Sequence, residues 1–196
     1  MTMTQMQSAR AGKITDEMKI VAQEEKMDIE SLRERVANGT IAICANINHQ
    51  NLHPYGVGEG LCTKVNANIG TSSAFPDPAP EIEKLNVAIA SGAHSVMDLS
   101  TGNNIDASRQ AILKHSTVPI YQATVDAIKA HGAVVKMTEE DLLHAIEKQA
   151  KDGADFMTIH CGVTMDVINR MKAEGRYMDV VSRGGSFITG WMLYNE

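Results

Sequence analysis

The sequence predicts an α/β protein: about the first five strand-helix units of a (β/α)8 barrel, preceded by a small N-terminal α/β segment. Short apolar runs alternate with amphipathic helical stretches, the pattern of parallel strands with helices packed outside them. Each apolar run also ends in side chains able to do chemistry: Asn66 and Asn68, Asp98 and Ser100, Tyr121 and Gln122, His160, then Ser182 and Arg183. A barrel collects such residues at the carboxyl rim of its strands, and doubly wound sheets obey a related rule. The first strand turn carries no GxGxxG, which lowers the dinucleotide-binding alternative.

The elements follow in order. Thr15, with Asp16 and Glu17 behind it, opens a helix with Met18, Val21 and Ala22 on one face; Asp28 opens a second helix, which Asn38-Gly39 closes. The strand TIAICANI comes next. A turn-rich loop from His49 to Gly60 then sets a boundary near residue 60, giving an N-terminal segment over 1–60 and the first part of the barrel over 61–196. Strands are expected over 63–70, 94–100, 117–123, 155–162 and 178–185. The helices between them span 80–91, with Pro80 in the first turn and Gly92 past the end, then 104–115, a long one from Thr138, and 164–174 before Gly175. Asp141 sits at capping-box spacing from Thr138. The final segment, FITGWMLYNE, reads as a helix without a C-cap glycine or closing strands behind it. An arc of five strands leaves bare edges, so the expectation is a part of a larger protein.

Composition narrows the class. The chain has 196 residues, 43% hydrophobic but only 4% aromatic, enough for one aliphatic, methionine-rich core. A net charge of −6 argues against nucleic acid or an anionic membrane as partner, so any phosphate must be held by a local cradle. The polar start, MTMTQMQSAR, is not a signal peptide, and no apolar run approaches the ~20 residues of a membrane span. The expected location is cytoplasmic. Cys44, Cys62 and Cys161 form no CxxC pair and are read as small buried hydrophobes.

The stretch VVSRGGS (180–186) is the most informative local pattern. A hydroxyl, a guanidinium and glycine amides at a helix start make an anion cradle, because first-turn amides lack intrahelical partners and the helix dipole adds positive potential. A tight strand-to-helix turn is the plainer use of the same glycines.

Six runs in order, NINHxxL (46–52), VNANIGTSS (65–73), VMDLSTG (96–102), TVPIYQA (117–123), TIHCGV (159–163) and VVSRGGS (180–186), resemble the phosphomethylpyrimidine synthases, the thiamin-pyrimidine enzymes. TQMQSARAGKIT near the start fits too, so the resemblance covers essentially the whole chain. It implies an N-terminal domain, a central (β/α)8 barrel and a C-terminal iron–sulfur region. It implies a non-classical radical enzyme that uses S-adenosylmethionine, a 4Fe-4S cluster and a divalent metal such as zinc to rearrange 5-aminoimidazole ribotide into hydroxymethylpyrimidine phosphate. It leaves a homodimer open as the assembly. By the same resemblance, Asn68, Met97, Tyr121, His160 and Ser182-Arg183-Gly184 match positions that contact the ribotide. Without it, Met97 would read as core filling. The paralogous 5-hydroxybenzimidazole synthases take the same substrate and share these motifs, and a non-catalytic ribotide-binding fragment is the reading from outside enzymology.

Departures from the family pattern are equally specific. Its downstream DGLR segment, a glutamate, two metal-binding histidines and the three-cysteine cluster motif are not in this sequence, so no metal ligand is expected within it. A PVPIG-like insertion common before TVPIY is missing; His115-Ser116 leads straight into Thr117, on the rim opposite the expected site. Cys161 replaces a common alanine beside His160. His49 and His53 are read as loop hydrogen-bonding residues, with metal ligation as the other use of such imidazoles. His94, His115, His131 and His144 lie on helices or at their ends, where solvation or the helix dipole suffices. Asp98 is open between a general base and a cap for the next loop.

Overall fold

A computed structural model of the chain describes residues 3–101, 104–123 and 133–195. The elements are α1 (Gln5–Arg10), α2 (Asp16–Glu25), α3 (Ile29–Asn38), β1 (Ile41–Cys44), β2 (Tyr55–Gly58), β3 (Asn66–Ile69), α4 (Ala79–Ala90), β4 (Ser95–Asp98), α5 (Ile105–His115), β5 (Ile120–Ala123), α6 (Glu139–Asp152), β6 (Phe156–Thr158), α7 (Met165–Glu174) and α8 (Arg183–Asn195). Gly102, His131 and the side chains of Gln122 and Arg183 lie outside the described residues. The chain divides into two compact units: Met1–Tyr121 with Asp152–Phe156, and Gln122–Lys151 with Met157–Glu196.

In the first unit the N-terminal helices form as their caps dictate. Thr15 accepts the Met18 amide and Asp28 the Ser31 amide, while the left-handed C-caps Lys26 and Gly39 stop α2 and α3. Met18, Val21, Leu32, Val36 and Ile41 bury one face of this layer. Two elements here were not anticipated. Thr4 and Gln7 make a reciprocal capping box that starts α1, and Tyr55–Gly58 pairs antiparallel with β1 inside what reads as a loop.

The main sheet is parallel, in the order β3-β4-β5-β6, with α4 and α5 as connections between its first strands. Strand alternation separates its faces. Ile69, Val96 and Ile120 point to the helix-covered face, where they meet Leu85, Ile112 and Leu113. Truncating Leu85 or Ile112 to Ala there costs about 2–5 kcal/mol. Arg109, fully buried on α5, holds Asp152 through Nε (2.9 Å) and Nη2 (2.6 Å) and Asp106 through Nη2 (2.6 Å).

Beneath the amino ends of β5 and β6, Asp155 receives the amides of Asn46 (2.9 Å) and Ile120 (2.8 Å) and bonds His49 Nδ1 at 2.8 Å. His49 Nε2 lies 3.1 Å from the Ser116 carbonyl. The short turn before Thr117 is thereby built in: Ser116 is buried, and its hydroxyl donates to the Val118 carbonyl at 2.7 Å. His49 is thus a buried hydrogen-bonding residue, and His53 makes its hydrogen bond on the surface, 2.5 Å from Glu24.

The second unit contains a 3₁₀ turn (Val134–Lys136), α6, α7 and α8. The Thr138–Asp141 capping box forms: Asp141 Oδ2 takes the Thr138 amide at 2.8 Å and the Thr138 hydroxyl takes the Asp141 amide at 3.2 Å. Met137 and Ala145 pack with Ile188 and Trp191, whose indole N–H donates to the Met137 carbonyl at 2.6 Å.

Three expectations are corrected. No strand forms over 178–185: Tyr177, Met178 and Val181 are exposed without a ladder partner, and α8 already begins at Arg183. Four strands of the expected run of five are therefore present among the described residues. Both glycines of SRGG accordingly fall inside the first helical turn rather than before it. Cys62 and Cys161 are exposed rather than buried, because Cys62 lies in an irregular segment and Cys161 in a turn, not on a packed face; Cys44 is half-buried. Among the described residues no helix is long and apolar enough to cross a membrane.

Candidate functional site

Within the first unit, the face of the sheet opposite the helices carries Asn66 and Asn68 from β3, Ser95 and Met97 from β4, and Tyr121 from β5. Asn68 and Met97 are direct register partners in the parallel ladder. Asn66 Nδ2 donates to Asn68 Oδ1 at 2.8 Å, and the Ser95 hydroxyl donates to Asn66 Oδ1 at 3.1 Å, so the polar groups of this face orient one another. Tyr121 stacks on Phe156, ring centroids 4.4 Å apart and planes 14° from parallel. Burial against that ring pushes the Tyr121 hydroxyl pKa up, so it remains a neutral donor. Phe156 was not singled out from the sequence; its one signal is an aromatic opening DFMTIHCG.

The rim beside these residues is closed by backbone locking. Asp98, 1% exposed, accepts the Ser100 amide at 2.9 Å on the helix-covered side. Asp98 thereby caps the loop that follows β4, with its side chain on the helix-covered side of the sheet. Ser100 Oγ in turn receives the Thr71 amide at 3.1 Å, and buried Glu81 reaches from α4 to the Gly70 amide at 2.7 Å. Gly70 has φ +153°, and a Cβ there would stand 2.6 Å from both Leu99 C and Ser100 N, so only glycine lets the two strand ends approach.

In the second unit, Ser182 sits immediately before α8 and accepts the Gly185 amide at 3.0 Å, while the Ser186 amide bonds the Ser182 carbonyl at 2.9 Å. This is an N-cap, and it explains why the helix starts at Arg183. The same Ser182 hydroxyl lies 3.2 Å from His160 Nε2. A Cβ added at Gly184 would fall onto the His160 ring, 2.8 Å from Nδ1 and closer still to Cε1. Of the seven residues that the family resemblance groups as ribotide contacts, His160, Ser182 and Gly184 are brought together within this unit.

Metal and cluster chemistry finds no donor set in these residues. Among the described residues no three His, Cys, Asp or Glu side chains gather around a point where a metal could be held. Cys44 is further removed from ligation: burial first, then the Asp155 charge, pushes its thiol up to about 11. The described residues therefore do not fit a 4Fe-4S cluster or a zinc ion.

A parallel sheet whose first strands are connected by α4 and α5 defines an α/β protein. The Radical SAM ThiC family matches residues 4–196, and the chain belongs to that family. It is 55% identical to the phosphomethylpyrimidine synthase of Moorella thermoacetica and 53% identical to that of Desulfitobacterium hafniense, each over 199 aligned residues covering 99% of this chain and 46% of the relative. It is 51% identical to the 5-hydroxybenzimidazole synthase BzaB of Moorella thermoacetica, over 99% of this chain and 47% of that protein. The chain spans about half the length of the curated relatives it matches.

Proposed function

We propose that this chain is the substrate-binding N-terminal part of a radical S-adenosylmethionine enzyme that converts 5-aminoimidazole ribotide to 4-amino-5-hydroxymethyl-2-methylpyrimidine phosphate. The observation that carries the reading is 55% identity to a phosphomethylpyrimidine synthase over 99% of the chain. Asn68, Met97, Tyr121, His160, Ser182, Arg183 and Gly184 are the ribotide contacts in this reading. The register pairing of Asn68 with Met97 on an uncovered sheet face and the Ser182 cap beside His160 support it. Arg183 and the first-turn amides of α8 hold the phosphate, where charge-assisted hydrogen bonds and the helix dipole act together.

The fold proposed to carry this activity is a (β/α)8 barrel beginning near residue 61, with 1–60 as a separate N-terminal segment. Separate apolar clusters around Leu32 and around Leu85 support that division. The 4Fe-4S cluster, S-adenosylmethionine and a divalent metal such as zinc belong to the reading through the family, with their ligands outside this sequence. The cluster would supply the electron that cleaves S-adenosylmethionine; the residues described here bind and orient the ribotide. Three free thiols accord with a cytoplasmic protein.

The test is product analysis by mass spectrometry after incubating the reconstituted enzyme with ribotide, S-adenosylmethionine and a reductant. Hydroxymethylpyrimidine phosphate is the expected product. 5-Hydroxybenzimidazole would move the assignment to the function named for the 51% identical relative, and ribotide binding without turnover by a cluster-loaded protein would leave a binding role only.

A further inference from the structure

We infer that Asn66, anchored across the ladder by Ser95, is a positioning residue that pre-orders the Asn68 amide for the ligand. This deepens the substrate-site reading above and rests on it only for the ligand's identity. The parallel register sets the neighbours: Asn66 lies opposite Ser95, and Asn68 lies opposite Met97. Across the ladder, therefore, Asn68 meets a thioether, a weak acceptor with no hydrogen to donate. Its support comes along its own strand instead. Residues two apart share a face of the sheet, and Asn66 Nδ2 lies 2.8 Å from Asn68 Oδ1, the one side-chain hydrogen bond that Asn68 makes among the described residues.

Asn66 is itself fixed. Ser95 Oγ stands 3.1 Å from Asn66 Oδ1, so the Asn66 amide links a hydroxyl on β4 to an amide on β3. The relay works in either direction. An amide has a donor at one end and an acceptor at the other, and a hydroxyl can be both, so reversing the two amides together keeps both hydrogen bonds. In each case Asn68 commits one amide atom to Asn66 and keeps the other for a ligand. Asn66 and Asn68 are both exposed, so packing does not immobilise the Asn68 side chain and the relay has that task. A side chain ordered beforehand gives up less rotamer freedom on binding, which is where Asn66 contributes to affinity.

Two readouts on the full chain test this. Side-chain amide ¹⁵N relaxation and χ1 couplings of Asn68, measured without ligand, should show an ordered amide in the wild type and in Ser95→Thr, which keeps the hydroxyl. Asn66→Ala and Ser95→Ala should each leave it mobile. An Asn68 amide that is mobile in the wild type, or that stays ordered in either alanine variant, overturns the inference. The second readout is a double-mutant cycle for ribotide binding. Asn66→Ala should raise the dissociation constant roughly two- to tenfold, the cost of ordering one side chain, and should change nothing further in an Asn68→Ala background, because Asn66 acts through Asn68. Equal weakening in both backgrounds would make Asn66 a direct contact or a fold-supporting residue and overturn the inference. An ordered wild-type Asn68 amide in a protein that takes no ribotide would count against the ribotide reading alone, since the amide data are read without ligand.

Discussion

The His49 imidazole and the Asp155 carboxylate, 106 residues apart in sequence, are bonded at 2.8 Å with side chains only 1% and 0% exposed. Burial alone would lower the His49 pKa, but the hydrogen bond and charge of Asp155 outweigh it and hold the pKa above its ordinary 6.5. With Asp155 at one ring nitrogen and the Ser116 carbonyl at the other, the surroundings of His49 favour its protonated form.

A pH dependence of stability follows with a definite sign. A group whose folded pKa is raised stabilises the fold fully below its unfolded value, here near 6.5, and loses that contribution as pH rises through the folded value. Urea unfolding followed across this range should show the first unit weakening on the alkaline side. His49→Ala should cost about 3 kcal/mol at acid pH, because it leaves a buried carboxylate without its cation. A flat profile in the wild type, or one unchanged in the variant, would remove His49 as the cause.

Cysteine reactivity should divide by position. Cys44, half-buried and pushed up to about 11, is almost entirely thiol at pH 8, whereas Cys62 and Cys161 are exposed. Iodoacetamide labelling of the folded chain, read by peptide mass spectrometry, should modify Cys62 and Cys161 first. Early labelling of Cys44 would contradict the buried environment described for it.

Gly184→Ala separates helix stability from site geometry. Alanine in the first turn of α8 should be tolerated by the helix, with a gain of up to about 1 kcal/mol. The new methyl group nevertheless displaces the His160 ring and breaks its bond to Ser182. Unchanged His160 resonances in this variant would show that the ring does not need the glycine.

Arg183→Ala should weaken ribotide binding by about 1.5–3 kcal/mol, the range of a hydrogen bond to a charged group. In a titration the variant should lose the preference for the ribotide over its dephosphorylated riboside. An equal loss for both ligands would reduce Arg183 to a fold-supporting residue.

Local chemistry in the sequence determined the helices and most of the sheet. Thr15, Asp28 and Thr138 each cap where their side chains dictate, and the centres of β3, β4, β5 and β6 lie within the expected runs, because caps and alternation act over a few residues. Asn68 and Tyr121 were legible as polar groups at strand ends and Met97 only through the family resemblance; period-two alternation in the structure puts all three on one face. What only the tertiary structure decided is non-local. No spacing announces that Asp155 bonds His49 or that Arg109 is buried against Asp152, since such pairings depend on which segments the sheet brings together. The apolar run at 178–181 shows the other limit: β propensity makes a strand only where a neighbouring ladder offers hydrogen bonds, and the Ser182 cap turned the chain into α8 instead.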